Sequence, residues 1–357
     1  MQAWSCNCYS GDPFQTAKHL VCDSKTPIPT PGPRQLQIKV RYAAVDPLDW
    51  MLISGAHKDR FPVAFPFTPG FDAAGEVTAL GPGCSGDIKV GDRVVCCLGV
   101  QESVCGKSPR KFAGTFAEFC VCPEDQATTV PDPVHLHSVA GLPLAGLTAY
   151  QALFTGNGSS TLGEPLGAIA GDSRLLILGG NRGPGHLALQ LAKAVGASVT
   201  VTVPPSCMDW MRELGADEVV NFRESHWVET MAGRGFDLIL DCVGWATTVK
   251  EMDRAAVALR RGGQLISTSN FEAFEKADAS VLRHGCEFKA MLPKVAAEDL
   301  DILVHMVSVG KLKVTVDQVV VFADACHALR ESVVGQCRGK VLLCQCNAGA
   351  RGACGGA

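Results

Sequence analysis

The stretch Arg174-Leu175-Leu176-Ile177-Leu178-Gly179-Gly180-Asn181-Arg182-Gly183-Pro184-Gly185-His186-Leu187-Ala188-Leu189-Gln190-Leu191-Ala192-Lys193 decides the fold. It opens on a short apolar run, Leu175 to Leu178, with the length of a buried strand. A glycine turn follows, and then a helical pattern headed by Pro184. Proline suits the first helical turn because its missing N–H has no partner to lose there. Strand, glycine turn and helix, in that order, are the context in which a glycine motif holds a dinucleotide. The literal pattern is Gly180-x-x-Gly183-x-Gly185 rather than the usual Gly-x-Gly-x-x-Gly. Glycines let the backbone approach a pyrophosphate, and the N–H groups and dipole of the helix N-terminus hold the anion. Gly180, Asn181, Arg182, Gly183, Pro184 and Gly185 are therefore the expected phosphate-binding residues.

Working outward, strands are expected at 198–203, 218–220, 237–241, 264–268 and 285–291. Helices are expected between and after them, at 184–195, 206–214, 246–260 and 297–309. With 174–178 this makes six strands alternating with helices, the pattern of a doubly wound parallel sheet. Residues 1 to about 140 read differently, as short strands separated by Gly and Pro turns. Gln35 to Arg41 alternates polar and apolar, and further strands are expected at 75–80, 91–95 and 114–121. Strand pattern returns at 314–321 and 340–344 around a helix at 324–333. The expected organisation is a β-rich domain over 1–140, completed by 312–346. An α/β domain is inserted over 141–311, and a flexible tail follows at 347–357. Arg260 and Arg261 read as the end of a helix.

The chain has 357 residues, 47% of them apolar and 19% charged, enough for packed cores, with a formal charge of −4. No basic stripe suggests nucleic acid, and no apolar stretch approaches the length of a membrane span. The short basic run Lys107, Arg110 and Lys111 reads as a solvated loop. The 17 cysteines lie largely in apolar strand-like runs and read as buried thiols in a reducing compartment. A cytoplasmic protein is expected.

The second expected strand, Ser198 to Val203, ends without the Asp or Glu that would grip the ribose 2′-hydroxyl of NADH. Pro204, Pro205 and Ser206 follow it. Ser206 and Arg182 are suited to a 2′-phosphate, which favours NADPH. Asp209 lies nearby, inside the expected helix, and is the residue that argues against this choice.

Asp46-Pro47-Leu48-Asp49, Pro69-Gly70-Phe71-Asp72-Ala73-Ala74-Gly75, Gly91-Asp92-Arg93-Val94, Gly114-Thr115-Phe116-Ala117-Glu118 and Leu144 to Tyr150 occur in that order. Leu214 to Asp217, Asp241 to Gly244, Gly262-Gly263 and Gly339-Lys340-Val341 follow. This succession resembles the zinc-free quinone-oxidoreductase, or zeta-crystallin-like, branch of the medium-chain dehydrogenase/reductase superfamily. The resemblance implies a GroES-like catalytic domain joined to a Rossmann domain, and usually a homodimer. It also places Thr148, Tyr150, Val243 and Lys340 at the cofactor. Zinc-dependent relatives carry a Cys in the segment that here reads Asp46 to Asp49, and a His where Phe71 stands. Phe71 cannot ligate zinc, no Cys stands at 46, and the clustered Cys96, Cys97, Cys105, Cys120 and Cys122 form no C-x-x-C pair. No metal is expected.

Without a Lewis acid, hydride transfer to a quinone or an α,β-unsaturated carbonyl is more natural than alcohol oxidation, because conjugation in the substrate accepts the charge. The branch has an Asn, an Arg and a Tyr where this chain has Asp46, Ile53 and His57. His57, Asp46 and Tyr150 are the candidate catalytic groups: His57 as proton donor, Asp46 as a hydrogen-bonding group, Tyr150 on the cofactor side. The expected function is an NADPH-dependent reductase of small-molecule quinones or enones. The alternative is a non-catalytic NADPH-binding sensor or interaction protein of the same fold, kept open by the three altered positions.

Overall fold

A computed structural model describes residues 1–59, 61–99, 113–155, 169–224, 227–244, 249–268 and 285–345. Cys105, the run Lys107, Arg110 and Lys111, and the tail 347–357 lie outside the described residues. The chain divides into two compact units. The first holds Met1–Leu144, Val295–Gly310 and the chain from Val314 onward; the second holds Ala145–Lys294 and Lys311–Lys313.

The first unit is β-rich, as its period-2 sequences predict. Its strands are β1 (Ala3–Ser5), β2 (Val21–Asp23), β3 (Gln35–Val45), β4 (Asp72–Leu80), β5 (Arg93–Cys97), β6 (Phe119–Pro123) and β7 (Ala127–Thr129). The main sheet is completed from the far end of the chain and runs β14-β15-β3-β4-β5-β7, with β6 also on β3. Here β14 is Val316–Val321 and β15 is Lys340–Cys344. β15 pairs antiparallel to β3, Val341 facing Val45 and Cys344 facing Tyr42. Phe61, Phe67, Phe71 and Phe116 are fully buried and fill the core beside the sheet. The expected strand at 114–121 starts only at Phe119, because Gly114, Thr115 and Phe116 instead bond back to Thr68, Gly70 and Pro69. The helix Ala297–Ser308, which the alternation of elements assigned to the α/β domain, lies in the first unit. There Thr128 Oγ1 donates to Asp301 Oδ1 at 3.0 Å.

The second unit contains β8 (Arg174–Leu178), β9 (Ser198–Val203), β10 (Glu218–Asn221), β11 (Phe236–Asp241), β12 (Leu259–Ser267) and β13 (Glu287–Ala290). They form one sheet in the order β10-β9-β8-β11-β12-β13, every neighbouring pair parallel. Counted within the unit this is 3-2-1-4-5-6, the doubly wound Rossmann order. The strand order reverses between β8 and β11, so the loops leaving their carboxyl ends flank the crevice where such sheets bind ligands. Arg260 and Arg261 lie in β12, not at a helix end. Gly262 (φ 71°) bends that strand, and Arg260 pairs with Asp237 on β11.

Crowding explains the glycines after β8. Gly179 has φ 83°, and a Cβ on it would lie 2.4 Å from Val243 Cγ1. A Cβ on Gly185 would lie 2.2 Å from the carbonyl oxygen of Gly179. The helix Gly183–Ala194 thus sits directly on the turn that precedes it. Because the obstacle at Gly185 is backbone, Gly185→Ala must displace the turn. The expected loss is at least about 1–3 kcal/mol, the usual range for overpacking, with cofactor affinity lost in parallel. Thermal denaturation and a cofactor titration check both.

Candidate functional site

The turn after β8 is strapped to β9. The N–H groups of Gly179 and Gly180 both donate to the Thr202 carbonyl at 3.1 Å, and Arg182 N–H closes the turn on Gly179 O at 3.0 Å. Arg182 is the N-cap of a 12-residue helix with Pro184 in its first turn. The first N–H groups of a helix have no intrahelical acceptor, so the helix presents donors and the positive end of its dipole at this point. Asn181 is buried; Arg182, Gly183 and Pro184 are half-buried. The six residues expected to hold a phosphate are together on one turn.

Beside it, Asp241 ends β11 and is fully buried. Its Oδ1 accepts from the N–H groups of Val243 (3.0 Å) and Gly244 (2.9 Å), and Ser267 Oγ reaches Oδ2 at 3.3 Å. This clamp holds Val243, 43% exposed, against Gly179. At the end of β9, Ser206 is exposed in the short turn Pro205–Cys207. Asp209 lies in the helix Met208–Glu213, and its carboxylate is bonded to Arg212 at 2.6 Å. The register Asn221↔Val203 sets the carboxyl end of β10 beside that of β9. Phe222, half exposed, follows there with Arg223 over its ring at 6.0 Å. Sequence reading missed Arg223, since only strand pairing brings it next to the end of β9. Thr148 is buried on the helix Pro143–Tyr150, and Tyr150 is half-buried with its ring 5.4 Å from Phe154.

In the first unit a different group gathers. Asp46 is the N-cap of the helix Pro47–Ser54, and its N–H donates to Asp49 Oδ2 at 2.8 Å. The other oxygen of Asp49 accepts from Gly70 N–H at 2.7 Å. Lys340, at the head of β15, bonds Asp46 Oδ1 and lies 3.7 Å from Asp72 Oδ2. Asp72 also accepts from Leu144 N–H at 3.0 Å. All four charged side chains are buried, none more than 5% exposed. Lys340, expected at the cofactor, is thus engaged by two carboxylates. Burial and the Asp46 charge push the Asp49 carboxyl up to about 8, against the pull of two backbone N–H groups and Lys340. The same two causes raise Asp72, with Lys340 opposing. Asp46 and Asp72 lift the Lys340 ammonium further than burial lowers it. His57 stands half-buried in the turn after the helix, edge-on to Phe61.

Residues 32–132 match the alcohol dehydrogenase GroES-like domain family, and residues 214–343 the zinc-binding dehydrogenase family. The chloroplastic quinone-oxidoreductase QR1 of Triphysaria versicolor is 30% identical over 326 residues, 89% of this chain and 92% of its own. The chain belongs to the quinone-oxidoreductase branch of the medium-chain dehydrogenase/reductase superfamily. The trans-enoyl reductase pgmF of Aspergillus terreus is 28% identical over 362 residues, 96% of each chain. The solved quinone oxidoreductase from Coxiella burnetii superposes with a TM-score of 0.78 at 25% identity, covering 96% of this chain and 98% of that one. As a member of this branch the chain is an oxidoreductase with a nicotinamide cofactor.

Against the zinc-dependent members of the superfamily, two positions differ. Phe71 is fully buried in the core, and Asp46 carries the Lys340 ammonium. Among the described residues no group of three or more His, Cys, Asp or Glu side chains is arranged to hold a metal ion. At Asp46 the described residues do not fit a zinc ion, because a cation there would meet the charge of Lys340.

Two outcomes follow for the buried cluster. A carboxyl in the unfolded chain titrates near 3.8, whereas Asp49 is held up at about 8. Between these values the folded form keeps the extra proton, so ionising Asp49 works against the fold. Stability is expected to fall as pH rises from about 4 to about 8, with Asp72 acting in the same sense. Asp49→Asn should flatten that decline, whatever it does to stability at a single pH; melting temperatures across the range decide. Lys340→Met leaves a buried carboxylate unpaired and should cost about 3–5 kcal/mol. Denaturant unfolding measures it.

Proposed function

We propose that the chain is an NADPH-dependent reductase of quinones or α,β-unsaturated carbonyls that works without a metal ion. The observation that carries this reading is a turn packed so tightly that Gly179 and Gly185 exclude side chains, next to a β9 end where Val203 to Cys207 carry no carboxylate. Asp209, on the following helix, is paired with Arg212 at the surface. On this reading Gly180, Asn181, Arg182, Gly183, Pro184 and Gly185 hold the pyrophosphate. Ser206 and Arg223, with Arg182, meet the 2′-phosphate. Thr148 and Val243 line the nicotinamide side. NADPH, when bound, supplies the hydride.

A conjugated acceptor needs no Lewis acid, since its own π-system spreads the incoming charge onto a carbonyl oxygen. The residues' task is to stabilise that oxygen and deliver a proton. His57 and Tyr150 carry the donors for it. Asp46, held by Lys340, is a fixed hydrogen-bonding group that orients the bound ligand. The names of relatives divide between quinone and enoyl reduction, so both substrate classes stay in the proposal. We further take the protein to be a homodimer of a reducing compartment such as the cytoplasm, in keeping with its many free thiols. Among the described residues no helix is long and apolar enough to cross a membrane.

NADPH should bind at least about tenfold more tightly than NADH, since one charge-assisted contact of about 1.5–3 kcal/mol accounts for that factor. Arg182→Ala with Ser206→Ala should erode the gap, and so should high salt. A titration giving equal or reversed affinities would falsify the assignment of the β9 end. NADPH oxidation with a panel of quinones and enals should survive a strong chelator. Stoichiometric zinc, together with activity lost to the chelator, would sink the metal-free reading.

A further inference from the structure

One polar side chain of the phosphate turn has no role in this scheme. His186 is fully buried in the first turns of the helix Gly183–Ala194. Its Nδ1 lies 3.0 Å from the carbonyl oxygen of Arg182, and its backbone N–H donates to the same oxygen at 3.1 Å. A carbonyl only accepts, so in this contact Nδ1 carries the proton. The imidazole lies against the indole of Trp210, with ring centroids 5.8 Å apart and planes inclined at 37°. Trp210 belongs to the helix Met208–Glu213, which follows β9.

The Arg182 carbonyl shares a peptide unit with the N–H of Gly183. In a planar trans peptide the two point in opposite directions. Two donors from His186 therefore draw the carbonyl toward the helix body and aim the Gly183 N–H out of the N-terminus. That is where unpaired helix donors meet an anion. Donation to the carbonyl also polarises the amide, which makes its N–H a stronger donor. Packing against Trp210 fixes the imidazole plane, so the side-chain bond is held in one rotamer.

We propose that His186 is a positioning residue for the cofactor pyrophosphate, its Nδ1–H locking the Arg182–Gly183 peptide so that the Gly183 N–H faces the anion. This role rests on the turn being the nicotinamide cofactor's site. It differs from a packing role in a way substitutions can separate. Asparagine places its amide nitrogen where Nδ1 stands, glutamine places it where Nε2 stands, and leucine fills the volume with no donor.

The test is NADPH affinity by fluorescence titration, kcat at saturating cofactor, and melting temperature, for the wild type and His186→Leu, His186→Asn and His186→Gln. His186→Leu should weaken NADPH binding roughly five- to tenfold, the size of one lost hydrogen bond, with kcat at saturation within about twofold. His186→Asn should restore affinity to within about twofold, and His186→Gln should not. Inorganic pyrophosphate, used as a competitor, should weaken in step with NADPH. A folded leucine variant with wild-type affinity overturns the proposal. So does an asparagine variant as weak as leucine, which would assign the histidine to packing alone. If the leucine variant does not fold, the asparagine–glutamine contrast decides. A wild-type protein that binds no NADPH defeats the cofactor reading itself, an outcome distinct from binding that ignores these substitutions.

Discussion

An ammonium and three carboxyl groups share a space in the first unit that water barely reaches. Lys340 bonds Asp46 and stands 3.7 Å from Asp72, while Asp49 braces the backbone of Asp46 and of Gly70. Isolated charges in such a place would cost several kcal/mol each; Lys340 offsets that cost for the carboxylates around it, while the carboxylates oppose one another. The cluster ties the head of β15 to the end of β3, the start of the helix Pro47–Ser54 and the start of β4. It joins segments almost 300 residues apart in sequence (|i−j| = 294 for Lys340 and Asp46).

The same group bears on chemistry. A superfamily that elsewhere places a metal ligand at position 46 here has a carboxylate already neutralised by an internal cation. The positive charge beside Asp46 is that of Lys340, and an ammonium cannot bind a substrate oxygen as an open metal site does. This is why the proposed acceptors are conjugated carbonyls and not alcohols. Burial also raises Asp49, to about 8, so it keeps at neutral pH a proton that an exposed carboxyl would have released, and it shifts Asp72 in the same direction.

In the second unit the controlling constraint is backbone proximity. The β8 turn, the helix that follows it and the β11 loop approach so closely that Gly179 and Gly185 have no room for a side chain. Asp241 and Thr202 supply the acceptors that fix the adjoining loops, and His186 with Trp210 fixes the peptide at the helix end. Rigid donors aimed at an anion are available before the anion arrives, which saves the cost of ordering them on binding.

Local pattern and composition alone were enough for much of this. The run Leu175 to Leu178, the glycine turn and the helical period after Pro184 specify strand, turn and helix because each depends on neighbours within a few residues. The alternation of strands with helices carried the Rossmann sheet, and ordered short motifs carried the family. Strand starts at Phe119 and Leu259 and the place of the helix Ala297–Ser308 were not legible, since distant backbone partners set them. Nor was the fate of Lys340. In the sequence it is a lysine of a short closing motif, placed at the cofactor by the resemblance; in the fold it is sealed onto Asp46. Arg223 reaches the end of β9 only through the Asn221↔Val203 pairing, and His186 meets Trp210 only once two helices pack together. Sequence determines what a residue is able to donate, accept or fill. The choice among its possible partners belongs to the tertiary structure, because a buried polar group must take whichever partner the packing leaves within reach.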